Sequence, residues 1–244
     1  MGKIICCGLG PGDPDLMSVR AAREVRNAKH VAFFRKKGHP GQARRIVDGM
    51  LADGTSEYPM EYPVTTELAV GSEEYARLLA RFHDEWADRL AELARETDVV
   101  VLCEGDPFFY GSFMHLYTRL KDRAEVEVIA GIPGMAGCWN VAGLPMALGD
   151  DVLTVLMGTL PEAELERRVQ NSDALVIMKS GRNLIKIRRV LELAGRLDDA
   201  WLIERGTMPD ERISRLRDVD PADCPYFAIV LVHGRGGRRQ EAAE

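Results

Sequence analysis

The stretch KIICCGLGPGDPDL, residues 3–16, contains the pattern on which the fold prediction rests. Residues 3–9 predict a buried strand, and three glycines and two prolines follow within residues 8–14. Glycine and proline at this density fix a tight turn, where the backbone approaches either a ligand or simply the next helix. Ser18 is a typical N-cap and predicts a helix over residues 18–28. A strand, a tight turn and a helix in this order are typical of an α/β sheet.

The first half of the chain continues this alternation. Residues 57–66 form a polar stretch that contains proline, and we assign no helix or strand to it. Further strands are predicted at residues 30–34, 99–103 and 125–129, and helices at residues 40–51, 72–96, 111–120 and after Pro133. Strands separated by helices predict a parallel sheet with helices packed against it.

The second half has a different pattern. Its strands are predicted at residues 152–157, 174–178, 200–204, 211–216 and 226–232, with helices at residues 162–170 and 184–194. The last two strands follow each other without a helix, which favours a mixed sheet. We therefore predict two α/β domains, residues 1–148 and 149–244, the second ending in a charged tail.

Composition excludes several classes of function. The 244 residues carry a net charge of −6, which does not favour nucleic-acid binding. No apolar stretch approaches the roughly 20 residues that a bilayer crossing needs. The five cysteines form no C-x-x-C pair and the five histidines have no ligand spacing, so we predict no metal. A cytoplasmic protein without a membrane or nucleic-acid partner is expected.

Two further loops follow predicted strands. They read CEGDPFFYG at residues 103–111 and AGIPGMAG at residues 130–137. Ligands of open α/β sheets bind at the carboxyl ends of the strands, where both loops lie. The Asp106 carboxylate suits a ligand with an ammonium group, although it is also able to cap the next helix. The first loop is not a P-loop, because it lacks the Lys followed by Ser or Thr. It is not a Rossmann fingerprint either, because Asp13 occupies the third glycine position.

In order and spacing, the three loops resemble those of the tetrapyrrole methylases. Five segments resemble the subgroup that methylates precorrin-2 at C-20: residues 58–60, 65–67, 103–104, 176–183 and 203–211. The resemblance runs from about residue 3 to residue 233. It implies two α/β domains like those of class III methyltransferases, with the cofactor in the cleft between them. The third loop departs from the family, because Pro133 and Gly134 stand where Thr or Ser is usual.

The resemblance implies S-adenosyl-L-methionine as cofactor and S-adenosyl-L-homocysteine as product. Asp106 would face the ammonium group of the methionine moiety, and backbone of the second domain would hold the adenine. The family's cofactor contacts fall on Pro11, Glu104, Gly105, Asp106, Phe109, Pro133, Gly134, Met178 and Gly206. Pro133 has no backbone N–H, so any polar contact of this loop must come from Gly134 or a carbonyl.

Methyl transfer to carbon also requires a group that manages the proton lost from that carbon. Glu104 and Tyr110 are our candidates for this catalytic role. His115 and Glu204 are further candidates, and spacing alone does not separate the four. Each could equally be a structural polar group.

A reduced tetrapyrrole carries many carboxylates, so cations should line its binding site. Arg35, Lys36, Lys179 and Arg182 are predicted to bind the substrate, because they follow strands. Residues 35–37 could also be a solvated, charged turn. A homodimer is expected, since family members are commonly dimers and the helix at residues 72–96 has a broad apolar stripe.

Three alternatives remain open at this point. One is another corrin methylase, acting at a different ring position. A second is diphthine synthase, which the basic strand ends and residues 178–181 disfavour. The third is a nucleotide-binding module without catalytic activity.

Overall fold

The structure, a computed structural model, describes residues 2–64, 72–222 and 224–234. Residues 65–67, which contribute to the family resemblance, and the tail from residue 235 lie outside the described residues. The chain forms two compact units, Met1–Gly134 and Met135–Glu244, so they divide earlier than the predicted boundary at residue 148. The reason is packing, because Cys138 and Met146 lie in one apolar cluster with strand residues of the second unit.

The first unit contains a five-stranded sheet in which every pairing is parallel. Its strands are β1 (Ile4–Gly8), β2 (His30–Lys36), β3 (Ser56–Tyr62), β4 (Val99–Cys103) and β5 (Val126–Ile129). Their order in the sheet is β3-β2-β4-β1-β5. The helices are α1 (Val19–Asn27), α2 (Gln42–Ile46), α3 (Glu73–Leu93) and α4 (Phe113–Leu120). The predicted parallel sheet is confirmed.

Alternation along β1 explains why helices cover both faces of this sheet. Ile5 and Cys7 pack into one apolar layer with residues of α1 and α2. Ile4 and Cys6 point to the opposite face and pack with residues of α3 and α4. Successive side chains of a strand alternate between faces, so an entirely apolar strand predicts burial on both.

Two elements of this unit differ from the sequence analysis, one strand that was missed and one helix that was predicted too long. Residues 56–62 form β3, which pairs in parallel with β2 at the edge of the sheet. An edge strand tolerates Pro59, since one side of such a strand needs no donor for a neighbour. The helix predicted at residues 40–51 shrinks to Gln42–Ile46, preceded by Gly41 in left-handed backbone with φ +83°.

The second unit contains the predicted mixed sheet. Its strands are β6 (Leu153–Met157), β7 (Ala174–Met178), β8 (Ala200–Glu204), β9 (Arg212–Arg215) and β10 (Ala228–Val232), in the order β6-β7-β10-β8-β9. Only β6 and β7 pair in parallel. Helices α6 (Glu162–Gln170) and α7 (Leu184–Leu193) contribute to the cluster on one face, and α5 (Gly134–Val141) to that on the other.

None of the helices in the described part of the chain combines the length and apolarity that a membrane crossing requires.

Candidate cofactor and substrate site

The three glycine-containing loops of the first unit touch one another through their backbones. Gly10 and Gly105 form an isolated bridge, in which the Gly105 N–H donates to the Gly10 carbonyl at 2.7 Å. A Cβ on Gly8 would lie 2.5 Å from the backbone nitrogen of Gly131, and one on Gly131 would overlap the Gly105 carbonyl oxygen. Such overlaps exclude any side chain. Glycine is therefore required at these positions for the loops to meet.

Asp106 fastens the second loop to the third. Its Oδ1 accepts the Phe108 N–H at 2.9 Å, and its Oδ2 accepts the Gly131 N–H at 3.0 Å. The sequence predicted an ammonium contact for this carboxylate, and the structure adds two backbone partners within the chain. A carboxylate offers about four lone-pair sites, so two bonds leave acceptor capacity for a ligand. The half-buried Asp106 is thus a loop-positioning group, and its contact with the cofactor stays a prediction.

The other predicted cofactor residues of this unit lie in the same three loops. Gly105 has φ +67°, and a Cβ added there would come within 3.7 Å of the Gly134 nitrogen and 3.9 Å of the Pro133 Cα. Pro11 is buried, whereas Phe109 is half-buried. The structure therefore brings together, in one loop cluster, the residues that the sequence placed in three separate motifs.

The two predicted catalytic residues flank Asp106. The Glu104 side chain is exposed, yet desolvation raises the pKa of its carboxyl group to about 7. The Glu104 carboxyl group is therefore in contact with water, while the surrounding protein atoms replace part of its hydration shell and disfavour its charged form. Tyr110 is 53% exposed and lies in left-handed backbone with φ +54°. Neither side chain has a hydrogen-bond partner in residues 2–64, 72–222 and 224–234, so both are available to a ligand.

The two remaining proton candidates differ in their surroundings. His115 stacks on His83, with ring centroids 4.8 Å apart, while Glu204 ends β8 and is half-buried. His83, which the sequence analysis did not single out, is 4% exposed, and its Nε2 has no hydrogen-bond partner among the described residues. Burial, with the nearby His115 and Arg119, lowers the pKa of His83 to about 4. His83 is therefore neutral near pH 7.

Arg35 already has a carboxylate partner. Its Nε and Nη2 donate to Oε1 of Glu61 at 3.0 and 2.6 Å. The pair forms because β3 aligns Glu61 with Arg35 across the sheet. The sequence missed Glu61 because it missed β3. Lys36 is exposed, as is Lys37.

Beyond β7 the chain turns sharply at Lys179, which has φ +55°. The Met178 carbonyl accepts the Gly158 N–H at 2.7 Å, and the Lys179 carbonyl accepts the Asn183 side-chain amide at 3.0 Å. Lys179 and Arg182 are exposed. Neither side chain has a partner in the part of the chain that the structure describes.

The turn after β8 contains Gly206 between two strained residues. Arg205 has φ +49° and Thr207 has φ +68°. A Cβ on Gly206 would lie 2.7 Å from Sγ of Cys138, so packing against α5 alone already requires glycine here. The Arg205 guanidinium pairs with Asp210 at 2.7 Å.

Left-handed backbone costs a non-glycine residue roughly 1–2 kcal/mol. Four described non-glycine residues adopt it, namely Tyr110, Lys179, Arg205 and Thr207. All four lie in segments that the sequence linked to ligand binding. Strained backbone is concentrated at functional sites in many proteins, so this distribution supports the choice of segments.

Comparison with known proteins adds an independent finding. The sequence profile of the family described as Tetrapyrrole (Corrin/Porphyrin) Methylases matches residues 3–219. The chain is 48% identical over 235 residues to a precorrin-2 C(20)-methyltransferase of Sinorhizobium sp, with 96% of both chains covered. It is 30% identical to a cobalt-precorrin-2 C(20)-methyltransferase of Salmonella typhimurium, covering 95% of this chain and 96% of the relative.

Solved structures show the same fold. The methyltransferase CobJ has a TM-score of 0.70 at 19% identity, with 96% of this chain and 95% of that chain covered. A uroporphyrin-III C-methyl transferase from Thermus thermophilus, complexed with S-adenyl homocysteine, has a TM-score of 0.60 at 21% identity. That match covers 98% of this chain and 100% of the other.

Proposed function

The chain belongs to the tetrapyrrole (corrin/porphyrin) methylase family, and from this premise we propose that it methylates precorrin-2 at C-20, using S-adenosyl-L-methionine, to give precorrin-3A in cobalamin biosynthesis. The observation that carries this proposal is the 48% identity, over 96% of both chains, to a protein named precorrin-2 C(20)-methyltransferase. The matched region spans 235 of the 244 residues and therefore includes most of both units. Supporting it further, a structural neighbour holds S-adenyl homocysteine, the demethylated form of this cofactor.

The cofactor supplies an electrophilic methyl group on a sulfonium, and the protein positions it. In the first unit, the remaining lone pairs of Asp106 suit the ammonium group at the amino-acid end of the cofactor. Met178 and Gly206 stay predicted contacts of the cofactor, as the family resemblance implies. Holding both reactants in line accounts for a large share of catalysis in such a displacement.

Glu104 is the better candidate for the proton lost from the tetrapyrrole. A general base works best when its pKa lies near the operating pH, and desolvation raises the pKa of Glu104 to about 7. Tyr110, exposed beside Phe109 with ring centroids 5.0 Å apart, is assigned to stabilising charge in the macrocycle. The role proposed here for Glu104 is the one that the sequence suggested, whereas the role proposed for Tyr110 is a different one.

A second substrate deserves a direct comparison, namely cobalt-precorrin-2. The relative that is named for the cobalt-containing substrate is 30% identical, against 48% for the relative named for precorrin-2. We therefore propose the metal-free compound as the preferred substrate. A binding module without activity is the alternative from another class.

The proposal is tested by incubating the purified protein with radiolabelled S-adenosyl-L-methionine and either precorrin-2 or cobalt-precorrin-2. We expect label in the tetrapyrrole fraction, with a higher kcat/KM for precorrin-2. Faster transfer to the cobalt compound would reverse the substrate preference. Tight binding of S-adenosyl-L-homocysteine without transfer to any tetrapyrrole would instead favour the binding module.

We also propose a cytoplasmic homodimer. The apolar stripe of α3 no longer supports it, because Phe82 and Leu90 are buried and Leu78 and Trp86 are half-buried. Exposed apolar side chains lie elsewhere in the first unit, including Phe108 (46%) and Met114 (41%). A mass measurement by light scattering at micromolar concentration decides the question: a dimer mass supports the proposal, and a monomer mass contradicts it.

A further inference from the structure

The cations of the second unit divide sharply into paired and unpaired groups. Among the described lysines and arginines of this unit, only Lys179, Arg182 and Arg212 lack a partner for their charged groups. The other cations contact carboxylates, carbonyls or an aromatic ring, as in Arg189 with Glu162 and Arg196 with the Ser172 carbonyl. Two of the three unpaired cations thus lie within four residues of each other, directly after β7.

The backbone at Lys179 determines where its side chain goes. Strand alternation would direct residue 179 to the face of Ile177, which is fully buried in the cluster with α7. The left-handed conformation at φ +55° breaks that alternation, and the lysine is exposed instead. Glycine makes this turn at lower cost than lysine. The turn itself therefore does not explain why lysine occupies the position.

Hydrogen bonds on both sides hold this turn in place. The buried Ser180 hydroxyl donates to the Ile177 carbonyl at 3.0 Å, and Asn183 donates to the Lys179 carbonyl at 3.0 Å. The Asn183 N–H donates to the Ser180 carbonyl at 2.7 Å. An ammonium and a guanidinium are consequently presented from a fixed backbone, so less conformational freedom is lost when they bind a ligand.

We propose that Lys179 and Arg182 together bind a carboxylate side chain of the tetrapyrrole and so determine substrate specificity. This inference rests on the proposed function, which supplies a polycarboxylate substrate. A guanidinium binds a carboxylate through two parallel N–H bonds, and an adjacent ammonium adds a point charge. Arg35, in contrast, already directs two of its donors to Glu61. Lys179 and Arg182 are therefore less engaged by other groups of the chain than Arg35 is.

Lys179→Gly gives the sharpest test, because glycine suits the left-handed backbone and removes only the side chain. We compare the binding of uroporphyrin, a stable polycarboxylate, by four full-length proteins: Lys179→Gly, Lys179→Arg, Arg182→Ala and the wild type. Binding is measured by fluorescence quenching. Lys121→Ala is the matched control, because Lys121 is exposed and follows α4, before the strand β5 begins. It therefore does not lie at the carboxyl end of a strand. S-adenosyl-L-homocysteine binding and the unfolding midpoint are measured for each protein.

We expect Lys179→Gly and Arg182→Ala to weaken uroporphyrin binding about tenfold, with the loss reduced at high salt. Lys179→Arg should recover most of the affinity, and Lys121→Ala should bind as the wild type does. The unfolding midpoint and the affinity for S-adenosyl-L-homocysteine should be unchanged. Unchanged uroporphyrin affinity in both variants, or no binding by the wild type, overturns the proposal, as does an equal loss for S-adenosyl-L-homocysteine.

The two proposals fail in distinguishable ways. A wild type that transfers no methyl group to precorrin-2, while Lys179→Gly still loses uroporphyrin affinity, refutes the reaction and keeps the carboxylate site. A wild type that methylates precorrin-2, with an unchanged KM in Lys179→Gly and Arg182→Ala, keeps the reaction and refutes the site.

Discussion

The loops at the carboxyl ends of the strands differ between the two units, although Tyr110 of the first unit also adopts left-handed backbone. In the first unit, glycines at positions 8, 10, 105 and 131 let three loops touch backbone to backbone. In the second unit, the turns contain non-glycine residues in left-handed backbone, Lys179 and Arg205 among them. Backbone-lined loops suit a ligand that is bound by amides, whereas strained turns with long side chains suit recognition of charge. Substitutions in the two units should therefore damage different properties of the enzyme.

Gly131→Ala should have the largest effect of the substitutions in the loop cluster. The added Cβ would overlap the Gly105 carbonyl and crowd Gly8, so the loops must separate. We expect a loss of about 1–3 kcal/mol in the free energy of unfolding, measured by urea denaturation, and no detectable cofactor binding by calorimetry. Gly134→Ala is the matched control for stability, because no atom lies within 4 Å of its Cβ position. Equal stability of Gly131→Ala and wild type would contradict the backbone packing described above.

Asp106→Asn comes next. An amide keeps the shape, but its nitrogen faces one of the two N–H donors of Phe108 and Gly131, so one bond is lost. We expect roughly tenfold weaker S-adenosyl-L-homocysteine binding by calorimetry, because a charge-assisted contact contributes about 1.5–3 kcal/mol. The fold should persist, with stability lowered by about 1 kcal/mol. Cofactor affinity equal to that of the wild type would refute the assignment of Asp106 to the ammonium group.

Glu104→Gln should change how the enzyme depends on pH. The folded-state pKa of Glu104, about 7, lies above its ordinary value of 4.5, so folding disfavours the charged form. The wild type should therefore lose stability as pH rises from 4.5 to 7, and the variant should lose less. The unfolding midpoint in urea at pH 5 and pH 8 measures this difference in stability.

The same substitution tests Glu104 as the general base. In the wild type kcat should rise as pH increases through 7, and a Glu104→Gln variant with the same pH profile of kcat would exclude Glu104 as the base.

Arg35→Ala should have the smallest effect, because Arg35 is paired with Glu61. We expect the KM for precorrin-2 to rise about twofold to threefold, with weaker salt dependence and unchanged cofactor affinity. Since the substitution also leaves Glu61 unpaired, the double variant with Glu61→Gln separates the two causes. If the double variant has the KM of Glu61→Gln alone, Arg35 serves only the ion pair and its assignment to substrate binding is wrong.

Much of the fold could be predicted because its signals are local. The apolar β1 and β4, the N-cap at Ser18 and the glycines after each strand all act within a few residues. β3 was missed, since an edge strand with Pro59 carries no apolar run and forms only because β2 lies beside it. The domain boundary was placed too late for a similar reason, because Cys138 is held by distant strand residues.

The glycine-containing loops of the candidate site could be predicted from the sequence. The ion pair of Arg35 and the left-handed turn at Lys179 could not. The spacing of residues 8–12 and 105–106 predicted loops at strand ends, which is where the structure places them. The pairing of Arg35 with Glu61 depends on sheet register, and the left-handed Lys179 depends on hydrogen bonds from Ser180 and Asn183. Long-range register and local strain leave no mark in composition or spacing. Sequence analysis therefore did not distinguish Arg35 from Lys179, although of the two only Arg35 has a partner for its charged group among the described residues.

The most direct test of the proposed reaction is to identify the carbon that receives the methyl group. Precorrin-2 is incubated with the purified protein and S-adenosyl-L-methionine carrying a 13C-labelled methyl group, and the product is examined by NMR. We predict a single new labelled methyl group, attached at C-20. Label at another ring carbon would make the protein a different corrin methyltransferase, and the absence of label from the tetrapyrrole would contradict the proposed function altogether.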